Sequence, residues 1–179
     1  MSTIRCEKLK AEMPECRFVR RLYETTFPVD ERRDFVELLR LFRERHAFDM
    51  KVVYADDNPV GFITVWSWVK WRYIEHFAVD SSCRGQGVGA EILRRLLQED
   101  SRPVVLEVEP PVDEWSRRRI GFYSRLGFVL HESFAYVQPA YGVGRNPVSM
   151  CLMTWGADKT VDLNSVVRLL HQEVYGCFE

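Results

Sequence analysis

Apolar residues recur at two different spacings along the chain, and the spacing predicts which segments are helices and which are strands. Spacings of three and four residues predict two helices within the first fifty residues. Their apolar stripes are Phe18, Val19, Leu22 and Tyr23, followed by Phe35, Leu38, Leu39 and Phe42. Pro28 separates the two stripes, and Asp30 is placed to cap the second helix.

Runs of β-branched and aromatic residues bounded by turn residues predict the strands. The predicted strands are 51–55, 60–68, 73–79, 103–109, 128–136 and 148–155, and further helices are predicted after residues 84–90, over 113–126 and over 163–175. The middle of the chain is therefore strand–helix–strand, and a right-handed crossover makes its two strands parallel. We predict an α/β (α+β) fold with a mixed sheet.

Composition and length favour one globular domain. The chain has 179 residues, of which 46% are hydrophobic and 28% charged, an ordinary balance for a packed core. Neither an internal repeat nor a linker is visible, so we predict a single domain over 1–179 in which 158–179 form a C-terminal helical extension. The apolar face of helix 163–175 fits either the domain's own sheet or a second copy in a homodimer.

Several classes of partner and compartment are disfavoured. The formal net charge is -1, from 25 basic and 26 acidic residues, which argues against nucleic-acid binding. No apolar run approaches the roughly 18 residues of a membrane span, and the charged N-terminus is unlike a secretory signal. The five cysteines are scattered and the four histidines match no metal spacing, so we expect a cytoplasmic protein without a metal site.

The most informative segment is a glycine loop between a predicted strand and a predicted helix. Its residues are Arg84, Gly85, Gln86, Gly87, Val88, Gly89 and Ala90. Glycine lets a ligand approach the backbone closely, and the N–H groups at a helix N-terminus attract anions. The loop therefore predicts a phosphate site, with Arg84 adding a positive charge.

Two nucleotide-binding motifs have glycine spacings that can be compared with this loop. The spacing Gly85-x-Gly87-x-x-Ala90, with Glu107 about twenty residues later, matches the dinucleotide fingerprint. That fingerprint opens a doubly wound sheet, whereas only half of this chain follows the loop and it ends in strands. A P-loop is excluded because no Lys-Ser or Lys-Thr pair follows the glycines.

The same region resembles the acyl-CoA signature of the GNAT superfamily of N-acetyltransferases. The resemblance lies in residues 74–80, Ile-Glu-His-Phe-Ala-Val-Asp, followed by 84–89, Arg-Gly-Gln-Gly-Val-Gly. A second landmark, residues 121–128, resembles the helix-plus-strand motif that carries the superfamily's tyrosine. Spanning roughly 15–156, the resemblance implies a mostly antiparallel sheet whose parallel central pair splays apart and is flanked by helices.

The resemblance also implies acetyl-CoA as co-substrate and names the residues that would hold it. The pantetheine arm would lie against Phe77, Ala78 and Val79, and the pyrophosphate on residues 84–90. Ser116 stands where many relatives have an asparagine that bonds the pantetheine, and its shorter hydroxyl would have to make that contact. The neighbouring arginines 117–119 are interpreted as a solvated helix face.

The chemistry implied is transfer of an acetyl group from a thioester to an amine. A protonated amine needs a base, and a thiolate leaving group benefits from an acid. By position, the resemblance implies Glu75 as base and Tyr123 as acid. Glu107 and Glu109 alternate with apolar residues, so they are expected to share a strand face and are alternative bases or amine ligands.

Two functions follow as hypotheses. The first is an acetyl-CoA-dependent N-acetyltransferase acting on a primary amine of a small molecule or peptide by direct attack in a ternary complex. Its acceptor site is expected between the two N-terminal helices and loop 136–147. The second is a non-catalytic acyl-CoA-binding sensor or interaction module on the same fold.

Overall fold

The computed structural model describes residues 3–9, 14–158 and 161–177. Within these residues eight strands form a sheet in the order β1-β2-β3-β4-β5-β8-β6, with β7 also paired to β8. The strands are β1 (Ile4–Lys8), β2 (Phe48–Ala55), β3 (Asn58–Ser67), β4 (Arg72–Val79), β5 (Val104–Val108), β6 (Val129–Leu130), β7 (Tyr136–Gln138) and β8 (Val148–Trp155). Among these pairings only β4–β5 is parallel. The predicted mixed, mostly antiparallel sheet is confirmed.

Helices cover both faces of this sheet. They are α1 (Glu15–Thr26), α2 (Phe35–Glu44), α3 (Val88–Glu99), α4 (Glu114–Ser124) and α5 (Leu163–Glu173). Buried residues of α1, α2 and α5 share one core cluster, whereas those of α3 and α4 share another on the opposite face. Among the described residues, none of the helices combines the length and apolar character needed to cross a membrane.

Three local features differ from the prediction. Strand β1 precedes the two predicted helices and was not predicted, because five residues that pair only at a sheet edge carry little periodic signal. The residue that precedes α2 is Asp34 rather than Asp30, whose carboxylate instead accepts hydrogen bonds from Asn146. The predicted strand 128–136 is two short strands, β6 and β7, separated by a turn in which Phe134 N donates to His131 O.

A β-bulge in β4 shapes the centre of the sheet. The β3–β4 register passes from Thr64↔His76 to Val65↔Ile74, which leaves Glu75 as the extra residue. A bulge bends its strand and increases the local twist. Parallel pairing of β4 with β5 stops at Ile74↔Leu106, although both strands continue beyond these residues. The two strands therefore separate at their C-terminal ends, as the predicted splayed pair requires.

Candidate active site

The gap between β4 and β5 exposes backbone groups of β4. His76 N donates to the Thr64 hydroxyl and Asp80 N donates to Val60 O, so both N–H groups point toward β3. Because successive N–H groups alternate along a strand, those of Phe77 and Val79 point the other way, into the gap. These donors have no partner strand at this position and are available to a ligand.

The glycine loop lies at the end of β4. Asp80 begins it by accepting a hydrogen bond from Ser82 N, and the Arg84 guanidinium donates to Val79 O over 3.1 Å. Gly85 and Gly87 have φ angles of +75° and +79°, a left-handed conformation that favours glycine. Gly87 is also the N-cap of α3, so the next three N–H groups lack acceptors within that helix.

Space around the loop fits a phosphate-bearing ligand. A Cβ placed on Gly85 or Gly87 would meet no atom within 4 Å, so the backbone is open on that side. Gly89 differs, since a Cβ there would lie 3.5–3.6 Å from the side chains of Phe122, Phe77 and Val79. Two glycines thus leave the loop backbone open, as an anion site requires, whereas a Cβ on the third would make ordinary van der Waals contact with side chains of β4 and α4.

Tyr123 lies in α4, on the face of the sheet that carries the glycine helix. Its side chain is buried and its ring contacts those of Phe122 and Phe128. No described residue exchanges a hydrogen bond with its hydroxyl. The pKa of Tyr123 is raised to about 12, mainly by burial. The positive charge of Arg119 opposes this shift, and the negative charge of Glu109 adds to it. The phenol is therefore protonated at neutral pH and free to donate.

Ser116 is engaged in capping its own helix. Its amide donates to the carboxylate of Asp113, and its hydroxyl donates to Asp113 and accepts from Asp113 N. This reciprocal capping box stabilises the start of α4. The predicted contact between Ser116 and a pantetheine arm stays a prediction, and it would have to replace one of these bonds. The arginines at 117–119 are exposed, as interpreted from the sequence.

The side chain of Glu75, the bulged residue, is fully buried and accepts hydrogen bonds from three other side chains. Arg33 donates to Oε1, Tyr141 donates to the same oxygen over 3.0 Å, and Trp66 Nε1 donates to Oε2 over 2.7 Å. Burial raises the pKa of this carboxyl, but the positive charge of Arg33 and the donated hydrogen bonds outweigh burial, and the pKa is lowered. The role of base predicted for Glu75 stays a prediction.

The bulge also changes the neighbours of His76. On an ideal strand His76 would face away from Glu75, but its ring packs edge-on against Tyr23 and Phe27, on the face where Glu75 meets Trp66 and Tyr141. Burial lowers the pKa of His76 to about 4, so the imidazole is neutral. This side chain is a hydrogen-bonded core residue.

Glu107 and Glu109 are predicted to share a strand face, but β5 ends at Val108, so only Glu107 lies within the strand. Glu107 is half-buried and accepts hydrogen bonds from Tyr73 and Tyr175, each over 2.8 Å, and from Tyr136. Burial raises its pKa, although the three phenols oppose this shift. Glu109 lies beyond the end of β5 and pairs with Arg119 on α4.

A fourth carboxylate at this end of the sheet was missed by the sequence analysis. Glu31 lies half-buried in a short 3-10 helix, Val29–Glu31, between α1 and α2. Burial and the charge of Glu109 raise its pKa to about 7, while Arg119 lowers it. A three-residue turn has no apolar period, so only the cluster Asp30-Glu31 after Pro28 could have marked it.

A polar cavity of about 360 Å³ lies between α2 and the loop that follows β7. Its lining includes Arg33 and Tyr141, which also donate hydrogen bonds to Glu75. The remaining lining residues are Asp34, Glu37, Arg40, Leu41, Gly142, Val143 and Arg145. The side chains of Arg33 and Tyr141 therefore lie between the cavity and Glu75 on β4.

Comparison with known proteins agrees with this architecture. The model of the acetyltransferase (GNAT) family matches residues 16–128. A GNAT-family protein from Bacteroides thetaiotaomicron is 37% identical over 97% of this chain and 99% of its own, with a TM-score of 0.88.

More distant structures share the fold. Arabidopsis thaliana Naa50, in complex with the bisubstrate analogue CoA-Ac-MVNAL, is 19% identical over 84% of this chain and 97% of its own (TM-score 0.62). Spermidine N-acetyltransferase from Vibrio cholerae, in complex with CoA and spermine, is 16% identical over 84% and 94% (TM-score 0.62). The match to the family model, the identity to the Bacteroides protein and the splayed β4–β5 pair agree, and the chain belongs to the GNAT family of acetyltransferases.

Proposed function

We propose that this protein transfers an acetyl group from acetyl-CoA to a primary amine of a small molecule or peptide, by direct attack in a ternary complex. The observation that carries the proposal is the β4–β5 gap, which has the glycine loop on one side and a carboxylate-lined region with a cavity on the other. Such a gap lets a thioester and an amine meet from opposite faces of the sheet.

The distant structural relatives support this class of reaction. The Arabidopsis protein holds an analogue that joins CoA to a peptide, and the Vibrio enzyme is a spermidine N-acetyltransferase crystallised with CoA and spermine. Both kinds of acceptor carry a primary amine, which is why we propose an amine and leave its carrier broad. The nature of the acceptor then depends on the cavity lined by α2 and loop 136–147.

On the cofactor side, residues 84–90 would hold the pyrophosphate of acetyl-CoA through backbone N–H groups and the charge of Arg84. The pantetheine arm would lie along Phe77, Ala78 and Val79, where β4 lacks a neighbour. Because such contacts use backbone donors, they need few particular side chains. Ser116, already bonded to Asp113, would contribute only by exchanging a partner.

Acetyl-CoA supplies an activated thioester, and the residues around the gap assist its transfer. The N–H of Phe77 would donate to the thioester carbonyl oxygen as negative charge develops on it. Tyr123, protonated at neutral pH, would donate a proton to the leaving sulfur. Glu75, whose charge is paired with Arg33 and whose side chain has no exposed surface, would act by fixing Arg33 and Tyr141 in the wall of the cavity.

An acceptor screen tests the proposal. The full chain would be incubated with acetyl-CoA and alkylamines, polyamines, amino acids and short peptides, with free CoA thiol and acetylated product measured together. Thiol release that matches product, and that depends on one class of amine, is the expected result. Acetyl-CoA binding in a thermal melt without transfer to any amine would favour the non-catalytic sensor. Absence of acetyl-CoA binding would overturn both functions.

A further inference from the structure

The 3-10 helix that carries Glu31 is fixed by hydrogen bonds from two sides. His76 Nε2, on β4, donates to Glu31 O over 3.1 Å. Gln138 Nε2, on β7, donates to Asp30 O over 3.2 Å, and Asn146 N donates to the Asp30 carboxylate over 2.9 Å. His76 and Gln138 are each only 2% exposed. Two buried polar side chains are thus committed to holding the backbone of a three-residue turn.

These hydrogen bonds hold the turn against β4 and β7, and the β4 donor, His76, adjoins the bulge at Glu75. The charged groups that act on the Glu31 carboxylate are Glu109 and Glu107 from β5 and its end, Arg119 from α4, and Asp30 from its own turn. Glu109 and Arg119 also act on Tyr123. The ion pair between Glu109 and Arg119 is therefore a common neighbour of Glu31 and of the proposed acid.

The other carboxylates near the gap are already occupied. Glu75 accepts three hydrogen bonds, one of them from a guanidinium, and Glu107 accepts three from phenols. Glu109 is paired with Arg119. No described residue donates a hydrogen bond to the Glu31 carboxylate. Among these four residues, Glu31 alone keeps its lone pairs free to take a proton.

Half-burial gives this carboxylate two properties that a base needs. It is close enough to the interior for burial and Glu109 to raise its pKa to about 7, near the pH at which a general base works best. It also keeps partial contact with water, by which a proton can leave. The buried Glu75 has the opposite combination, a lowered pKa and no exposed side-chain surface.

We propose that Glu31, rather than Glu75, is the general base of the acetyl transfer, an inference that rests on the proposed function. The ionised carboxylate takes a proton from the acceptor ammonium, directly or through one water. The free amine then attacks the thioester carbon, forming the C–N bond, and the C–S bond breaks as Tyr123 protonates the sulfur. The second nitrogen proton passes to solvent, from which Tyr123 regains its own.

Steady-state kinetics of Glu31→Gln test the proposal, with the most active amine from the acceptor screen. We expect kcat/KM to fall by at least about 10²-fold, the lower end for loss of a general base. The wild type should lose activity as the pH falls through about 7. The midpoint of this loss should be the same for two acceptors whose amines have different pKa values. Glu31→Gln should lack this pH dependence. Glu31→Asp should restore part of the rate. The matched control is Glu24→Gln, which alters an exposed carboxylate on α1.

A titration independent of turnover accompanies the kinetics. The carboxyl carbon signal that disappears from a ¹³C spectrum in Glu31→Gln should titrate near pH 7 in the wild type. A midpoint near the ordinary glutamate value, or activity of Glu31→Gln within twofold of wild type, would overturn the proposal. A lower rate with an unchanged pH profile would also overturn it, by assigning Glu31 to binding. If the wild type transferred acetyl to no amine, the proposed function would be overturned, and the proposed role of Glu31 with it.

Discussion

Arg33 donates to the buried carboxylate of Glu75, and this ion pair joins segments that are far apart in the chain. Arg33 precedes α2, whereas Glu75 is the bulged residue of β4. The same guanidinium donates to Val174 O at the end of α5 and lies 4.4 Å from the ring centroid of Tyr141. One side chain thus fixes the wall between the cavity beside α2 and the strand proposed to bind acetyl-CoA.

Replacing Arg33 with methionine should destabilise the protein strongly. Removal of one partner leaves the Glu75 charge buried without compensation, which typically costs about 3–5 kcal/mol. Arg40→Met is the control, because Arg40 forms only exposed ion pairs with Glu37 and Glu44 that contribute about 0–1 kcal/mol. Urea denaturation of both variants gives the two free energies of unfolding. Equal losses would contradict the importance of burial for this pair.

The partners in this network explain why the sequence predicted the motif residues but not their surroundings. Glycine spacing and strand periodicity are local, so the loop 84–90 and Tyr123 could be located from the sequence. The donors around Glu75 and Glu107 come from other elements: Arg33 lies 42 residues from Glu75, and Tyr175 lies 68 residues from Glu107. Only the fold brings such groups together.

Two further features escaped prediction for physical reasons of their own. A bulge inserts one residue without altering the apolar pattern around it, so alternation placed Glu75 and His76 on opposite faces. The turn that holds Glu31 is too short to have a period, and its position depends on His76 and Gln138. The fold class and the glycine loop are therefore more predictable here than the side chains around Glu75 and Glu31.

His76 should make the free energy of unfolding fall as the pH is lowered. Its pKa is about 4 in the folded protein, because of burial, against 6.5 for the ordinary side chain. The unfolded chain therefore binds the proton more readily, and stability is lost as the pH falls from about 6.5 to about 4, by on the order of 3 kcal/mol. His76→Gln should remove this part of the pH dependence in denaturant unfolding. An unchanged slope would contradict a neutral, buried His76.

Glu31 should change the free energy of unfolding in the opposite direction to His76 over part of the same pH range. Its raised pKa means that the folded state favours the protonated carboxyl, so its contribution to stability is present below about 4.5 and is lost as the pH rises through about 7. Relative to wild type, Glu31→Gln should become more stable as the pH rises across this window. Parallel unfolding curves for the two proteins at all pH values would contradict the raised pKa.

Gly87 and Gly144 allow backbone strain to be separated from ligand binding. Their φ angles are +79° and +78°, and neither has an atom within 4 Å of a Cβ position. Alanine at either site should cost about 1–2 kcal/mol of stability, because the left-handed conformation disfavours a Cβ. Only Gly87→Ala should also weaken acetyl-CoA binding, by about tenfold or more, since its Cβ enters the proposed pyrophosphate cradle. Equal dissociation constants for both variants in calorimetry would contradict that cradle.

Tyr123→Phe should slow transfer without weakening acetyl-CoA binding. The phenol ring is held by Phe122 and Phe128, so phenylalanine keeps the packing and removes only the hydroxyl, which bonds to no described residue. Loss of a general acid should lower kcat by about 10²–10⁴-fold, while the dissociation constant for acetyl-CoA stays within about twofold. Because the pKa of Tyr123 is about 12, its ionisation should not reduce the wild-type rate below about pH 11.

Tyr54→Phe, which alters a buried tyrosine of β2 away from the gap, is the control. If Tyr123→Phe were as active as Tyr54→Phe, the leaving sulfur would have to take its proton from water. The Tyr123 side chain would then contribute to packing and not to proton transfer.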